Sequence, residues 1–383
     1  MLRSSDTRAQ SDSDKWHKYS GRNILPMWIA DTEFLAAPAI LDALQERLEH
    51  GVFGYGHRRQ RFLDAIKKHC HDQYGWHIED DWIQPLTGVV PGLNFSRAVA
   101  QLRGKNQAVM VEPVYPHLRK HPALLPGFTD CGSPCKQENG RWVPDFAALE
   151  ANISADTGLL LLCHPHNPIG RVYSDDELAR YAEIAQKHDL IVCSDEIHCD
   201  LILNGSRHRP FADLSDDARA RTITLMAMSK TYNIAGLSCA FAIIPNTTLR
   251  QEYRRVSAGM TGDVNVLGMT ATIAALEHGE PWRQEMLKYL RENAELTEAR
   301  INATGKLHMT PVEATYLAWI DARDLGVENP QKYFEQHGVG MNDGADFGAP
   351  GYVRLNFGCP RDMLEEALER ISRAVEAAAG QKP

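Results

Sequence analysis

Short apolar runs alternate along the chain with longer segments of helical period. The runs at 108–112, 159–163, 191–194, 222–226 and 240–244 lack the polar–apolar alternation of a half-exposed strand, so they read as strands buried on both faces. Apolar positions three and four residues apart predict helices over 39–50, 62–73, 93–102, 175–188, 264–278, 281–302, 330–336 and 362–378. Ser174 followed by Glu177 reads as a capping box that starts one of them. Strands alternating with helices predict an α/β fold, a mainly parallel central sheet flanked by crossover helices. Beyond about residue 282 the pattern changes to one long amphipathic helix, then short strands at 316–320 and 352–357 between helices. This predicts a second, smaller α+β domain over 282–383, a large domain over 46–281, and an N-terminal arm over 1–45 that joins the small one.

Composition narrows the function classes. The 383 residues are 43% hydrophobic and 24% charged, an ordinary globular balance with room for two or three domains. With 41 Lys+Arg against 50 Asp+Glu the net charge is −9, so no broad basic face is on offer and no nucleic-acid partner is expected. The apolar stretches at 159–163 and 241–245 fall far short of the roughly 18 residues that span a bilayer, so no membrane partner is expected either. Residues 1–19 are polar and mixed in charge, without an apolar leader core. They read as a mobile arm, and a cytoplasmic location follows by default. Eight cysteines, sparse and irregularly spaced, read as reduced thiols.

Neither GxGxxG nor GxxxxGK[ST] occurs, which disfavours a dinucleotide or nucleoside triphosphate. His69 and His71 point to different sides of a helix and read as a solvated face. His164 and His166 share that spacing, Cys131 and Cys135 flank a Gly-Ser-Pro turn and read as a loop, and no metal site is expected. The informative region runs from Thr87 to Lys230. In Thr87-Gly88-Val89-Val90-Pro91-Gly92 a turn of small residues opens a helix whose free N–H groups can hold a phosphate. The run 159–163 ends in His164-Pro165-His166-Asn167-Pro168, and the run 191–194 delivers Asp195-Glu196-Ile197-His198 at a strand's carboxyl end. Finally Met228-Ser229-Lys230-Thr231-Tyr232-Asn233 sets a lysine among small and apolar residues, where burial would lower its pKa and free its amine.

Asn167, Asp195 and Lys230 follow one another at intervals of 28 and 35 residues. With the phosphate-binding helix start before them, they resemble the fold-type I enzymes of pyridoxal 5′-phosphate (PLP). The chain is similar to class I/II aminotransferases and most to the cystathionine β-lyase (C–S lyase) group typified by MalY and PatB. The likeness extends from Met27-Trp28-Ile29-Ala30-Asp31 and Phe53-Gly54-Tyr55 to Tyr352-Val353-Arg354-Leu355-Asn356. It implies that Lys230 holds PLP as an imine, Asp195 pairs with the pyridine nitrogen, and Asn167 and His198 meet the phenolic oxygen. Tyr115 would stack on the ring, the N–H groups of Val89 and Val90 with the Ser229 hydroxyl would bind the phosphate, and Arg354 would clamp the substrate carboxylate. Tyr55 would reach the phosphate of a neighbouring subunit, which implies a homodimer.

Ala227 and Ser238 stand where relatives carry phosphate-binding Ser and Arg, placing more weight on the helix start and Tyr55. Thr32 and Glu33 depart from the group's Ala-Asp-Met-Asp-Phe in a segment expected near the substrate. The implied reaction is β-elimination from L-cystathionine or a related S-substituted L-cysteine, giving a thiol, pyruvate and ammonia. An aminotransferase, using the same lysine, and a regulatory binding protein that retains PLP are the rival readings. His198, where aminotransferases usually carry Tyr, favours the lyase over the first; intact Lys230 and Arg354 favour catalysis over the second.

Overall fold

The computed structural model describes residues 2–4, 8–56, 60–120 and 122–380. Its centre is an eight-stranded sheet in the order Ile83–Leu86, Ala240–Ile243, Thr222–Met226, Ile191–Asp195, Thr157–Cys163, Gln107–Glu112, Thr129–Glu138, Arg141–Pro144. From Thr222–Met226 to Thr129–Glu138 every neighbouring pair is parallel. Thr157–Cys163, Ile191–Asp195 and Thr222–Met226 are buried at every residue, the physical source of their unbroken apolar pattern. Helices such as Val89–Leu102 and Asp175–Lys187 cover the faces. The capping box is present: Glu177 N–H donates to Ser174 Oγ at 3.2 Å, and Ser174 N–H to Glu177 Oε2 at 2.8 Å.

Four expectations need correction. Ala240–Ile243, read among the parallel strands, runs antiparallel to both neighbours. The link from Met226 to Ala240 is made of turns, with Ala235–Leu237 its one short 3-10 element, and lacks the α-helix that usually carries a chain back to a parallel start. Cys131 and Cys135 lie on the strand Thr129–Glu138 rather than in a loop. Pro134 sits where that strand passes from pairing with Gln107–Glu112 to pairing with Arg141–Pro144, a place that tolerates a missing N–H. All eight cysteines are free.

His69 is buried, not solvated; its Nε2 lies 3.1 Å from Asp200 Oδ1, and a π-helical turn over Cys70–Tyr74 follows it. His71 does face solvent. The N-terminal arm is docked rather than mobile over its described part, with Lys15 and Tyr19 buried. Leu25–Pro26 pairs in parallel with Val339–Gly340. The charges of the arm find opposite charges at residues 31–33 instead of water.

A second sheet of four antiparallel strands, His308–Met309, Leu317–Asp321, Tyr352–Asn356 and Asn342–Asp343, packs with the helices Glu280–Asn302 and Arg361–Gly380. Sequence patterning missed the strands Ile83–Leu86, Thr129–Glu138 and Arg141–Pro144 and the helix Thr247–Ser257. Among the described residues no helix is long and apolar enough to cross a membrane.

One contact ties the helix Val266–His278 to the turn that follows Lys230. A Cβ on Gly268 would lie 2.3 Å from Leu237 O, and backbone cannot swing aside as a side chain can. Gly268→Ala is therefore expected to cost about 1–3 kcal/mol of stability. A lower urea midpoint at unchanged slope would register it, and an unmoved midpoint would contradict it.

Candidate active site

The parallel strands end beside a cavity of about 400 Å³ walled by both sheets, the usual ligand position in an open α/β sheet. Its first wall is the start of the helix Val89–Leu102. No side chain caps this helix, and Thr87 to Pro91 line the cavity, so the free N–H groups of the first turn are available to an anion. Ser229, Ala227 and Ser238 also line the cavity.

The strand Ile191–Asp195 brings Asp195 to the cavity and leaves its neighbour on the other side, as alternation demands. Glu196 is fully enclosed; Ser194 Oγ (2.8 Å), the Phe211 N–H (3.1 Å) and His208 Nε2 (2.7 Å) surround its carboxylate. Asp195 is less well supplied. Its Oδ1 accepts one hydrogen bond, from the Ile197 N–H at 3.2 Å. Burial pushes its pKa up to about 7, with Glu196 adding to the shift, while the Ile197 N–H and Lys230 oppose it. His198, on the turn after the strand, is buried with Nδ1 unpartnered; burial, aided by Lys230 and Arg354, pushes it down to about 3, so the ring is neutral.

Lys230 enters from the turn after Thr222–Met226 and donates from Nζ to Ala30 O at 2.7 Å. Burial lowers its pKa to about 8, reinforced by Arg354 and opposed by Asp31 and Asp195. Arg354, on the strand Tyr352–Asn356, donates from Nη1 to Asn167 Oδ1 (2.9 Å) and from Nη2 to Asn342 Oδ1 (2.8 Å) and Trp28 O (3.2 Å). Its guanidinium lies 4.7 Å from the Phe347 ring centroid, and its Nε is buried without a partner. Burial lowers its pKa to about 10, which leaves it charged. Because Asn167 Oδ1 accepts from Arg354, the Asn167 amide group is free to donate on its other side. Tyr115 lines the cavity, and its N–H donates to Asn167 O at 3.0 Å.

All the sequence-predicted candidates except Tyr55 thus meet in one cavity. Tyr55 stands fully exposed among Leu48, Val52 and Phe53, which are exposed as well. Sequence reasoning missed Trp28 and Ile29 as lining, and Asn342 and Phe347 as the setting of Arg354, while Ala30 opens the segment expected near the substrate. The segment 27–31 carried a signal as part of the family likeness, but nothing in a side chain announces that Ala30 contributes a carbonyl oxygen.

The departures at Thr32 and Glu33 are buried yet absent from the cavity lining, which corrects the expectation that they bear on the substrate. Glu33 pairs with Lys15 at 2.7 Å and Arg8 at 3.0 Å and accepts from Trp16 Nε1 at 3.1 Å. Asn233, in the left-handed region at φ 56°, turns its amide to Thr32 and Phe34. These residues bind the arm to the lysine turn.

The cavity fits PLP on its own terms. A buried carboxylate without a cation awaits a protonated ring nitrogen, an uncapped helix start awaits a phosphate, and a buried amine of lowered pKa awaits an aldehyde. Among the described residues no three His, Cys, Asp or Glu side chains group as metal ligands.

Known proteins point the same way. The chain is 35% identical over 382 residues to cystathionine β-lyase PatB of Bacillus subtilis, covering 97% of this chain and 98% of that one. A crystal structure of OvoB superposes with a TM-score of 0.93 at 46% identity, covering 98% of each chain. The PLP-bound C–S lyase of Staphylococcus hominis does so with a TM-score of 0.89 at 29% identity, covering 97% of each. The sequence profile of aminotransferase class I and II matches residues 27–371, and the chain belongs to that family.

Proposed function

We propose that the protein is a PLP-dependent carbon–sulfur β-lyase that cleaves L-cystathionine or related S-substituted L-cysteines. The observation that carries this reading is the likeness to the lyase PatB along nearly the whole chain. The reaction takes one water: the S-substituted cysteine becomes a thiol, pyruvate and ammonium. PLP, when bound, supplies the electron sink that makes the Cα proton removable.

Each residue then has a task. Lys230 Nζ would hold the cofactor at its aldehyde carbon, and the same amine, placed beside the reacting centre, would take the Cα proton. Asp195 keeps the ring nitrogen protonated, which its burial makes favourable only when that cation is present. Asn167 and His198 address the phenolic oxygen, and Tyr115 covers the ring. Val89 and Val90 N–H groups and the Ser229 hydroxyl hold the phosphate, while Arg354 orients the substrate carboxylate. Residues 46–281 carry the cofactor; residues 282–383 and the arm 1–45 close the other side. Tyr55, useless to its own cavity from the surface, serves the phosphate site of a second copy in a homodimer.

Purified holoprotein given L-cystathionine should form pyruvate without any 2-oxo acid. A new amino acid formed only when a 2-oxo acid is added would establish transamination instead.

The amine of Lys230 must be neutral to capture PLP. With a pKa near 8, about one in ten is neutral at pH 7, against fewer than about one in a thousand for an ordinary lysine. The rate of PLP uptake by apoprotein should rise with pH and level off just above 8. A rate still climbing through pH 10 would mean an unperturbed lysine.

Hybrid dimers of Tyr55→Ala and Lys230→Ala subunits test the shared site. Each parent should be severely impaired, and verified hybrids should regain one working centre of two. Hybrids as inactive as their parents would place Tyr55 outside any shared site.

A further inference from the structure

Four residues of formal charge line the cavity: Asp195, Lys230, Arg354 and Asp346. The proposed reaction employs the first three, at the ring nitrogen, the reacting carbon and the substrate carboxylate. Asp346 has no place in it. The fold makes no use of its carboxylate either, since among the described residues no donor or cation meets it. The nearby Arg119 donates to the Asp346 carbonyl oxygen at 3.2 Å and directs its Nε to Glu112 at 2.5 Å.

The backbone that carries this carboxylate is nonetheless well fixed. Asp346 lies in the short turn Gly344–Phe347, where Asp343 Oδ1 accepts from the Ala345 N–H at 2.9 Å and Gly348 ends the turn at φ 95°. The next residue, Phe347, is buried against the Arg354 guanidinium. An exposed, unpaired anion therefore stands at the cavity's rim, one residue from the ring that backs the carboxylate clamp.

A substrate seated for β-elimination commits its amino group to the reacting centre and its carboxylate to Arg354. Only the group on sulfur remains to extend to the rim. An unpaired carboxylate there attracts positive charge and repels negative charge. Resting on the lyase reading, we infer that Asp346 selects the sulfur substituent, so that the enzyme favours S-substituted L-cysteines ending in a cationic nitrogen over neutral or anionic ones of equal length.

The test compares pyruvate release from S-(3-aminopropyl)-, S-butyl- and S-(2-carboxyethyl)-L-cysteine by the holoenzyme. In the wild type the kcat/KM ratio of aminopropyl to butyl should be about fivefold, the upper range for an ion pair in contact with water. Asp346→Asn should bring that ratio near one, and Asp346→Lys should turn the preference toward the carboxyethyl substrate. Ratios cancel any general loss of activity in the variants. Unchanged ratios in Asp346→Asn would overturn the inference and leave the lyase intact. No pyruvate from any of the three would overturn the lyase reading and this inference with it.

Discussion

A carboxylate and an amine enclosed together in an apolar cavity set the terms for the rest of this molecule. Burial pushes Asp195 up to about 7 and Lys230 down to about 8, so each is held near the pH at which its charge is lost. Such a pair is costly in an empty protein and useful in a loaded one. The parallel sheet exists, in functional terms, to bring both to one side: their strands are adjacent neighbours and end at the same level. The second sheet then supplies the one full positive charge, Arg354, whose own burial is offset by Asn167, Asn342, Trp28 and the face of Phe347.

How much of this was legible in the chain follows from what each residue type advertises. Central strands were readable because burial on both faces leaves an unbroken apolar run, as in Thr157–Cys163. The strand Thr129–Glu138 was not, since its exposed polar residues and Pro134 imitate a loop. Direction was misread for Ala240–Ile243 because burial does not encode it. The lack of a crossover helix in the link before that strand does, and the glycine and small residues of that link announce it only weakly.

Side chains with distinctive chemistry, Lys230, Asp195, Asn167 and Arg354, could be picked out one by one. Their neighbours could not. Ala30 enters through a carbonyl oxygen, which every residue has. His69 looked like surface until Asp200, 131 positions away, turned out to face it. Thr32 and Glu33 looked like substrate contacts until their partners, Lys15, Arg8 and Asn233, were seen on other segments. In each case the missing fact was a distant partner rather than a local pattern.

The docking of the arm carries a consequence in time. Trp28, Ile29 and Asp31 give their carbonyl oxygens to Arg354 and Asn356, partners 325 to 327 positions further along. These contacts span most of the chain, and contacts of such sequence separation form late in folding. During synthesis at about 5–20 residues per second the beginning of the chain waits roughly 15–65 s for the residues that hold it. The lysine's backbone acceptor at Ala30 belongs to that waiting segment, so the reacting centre is among the last parts of a newborn molecule to take shape.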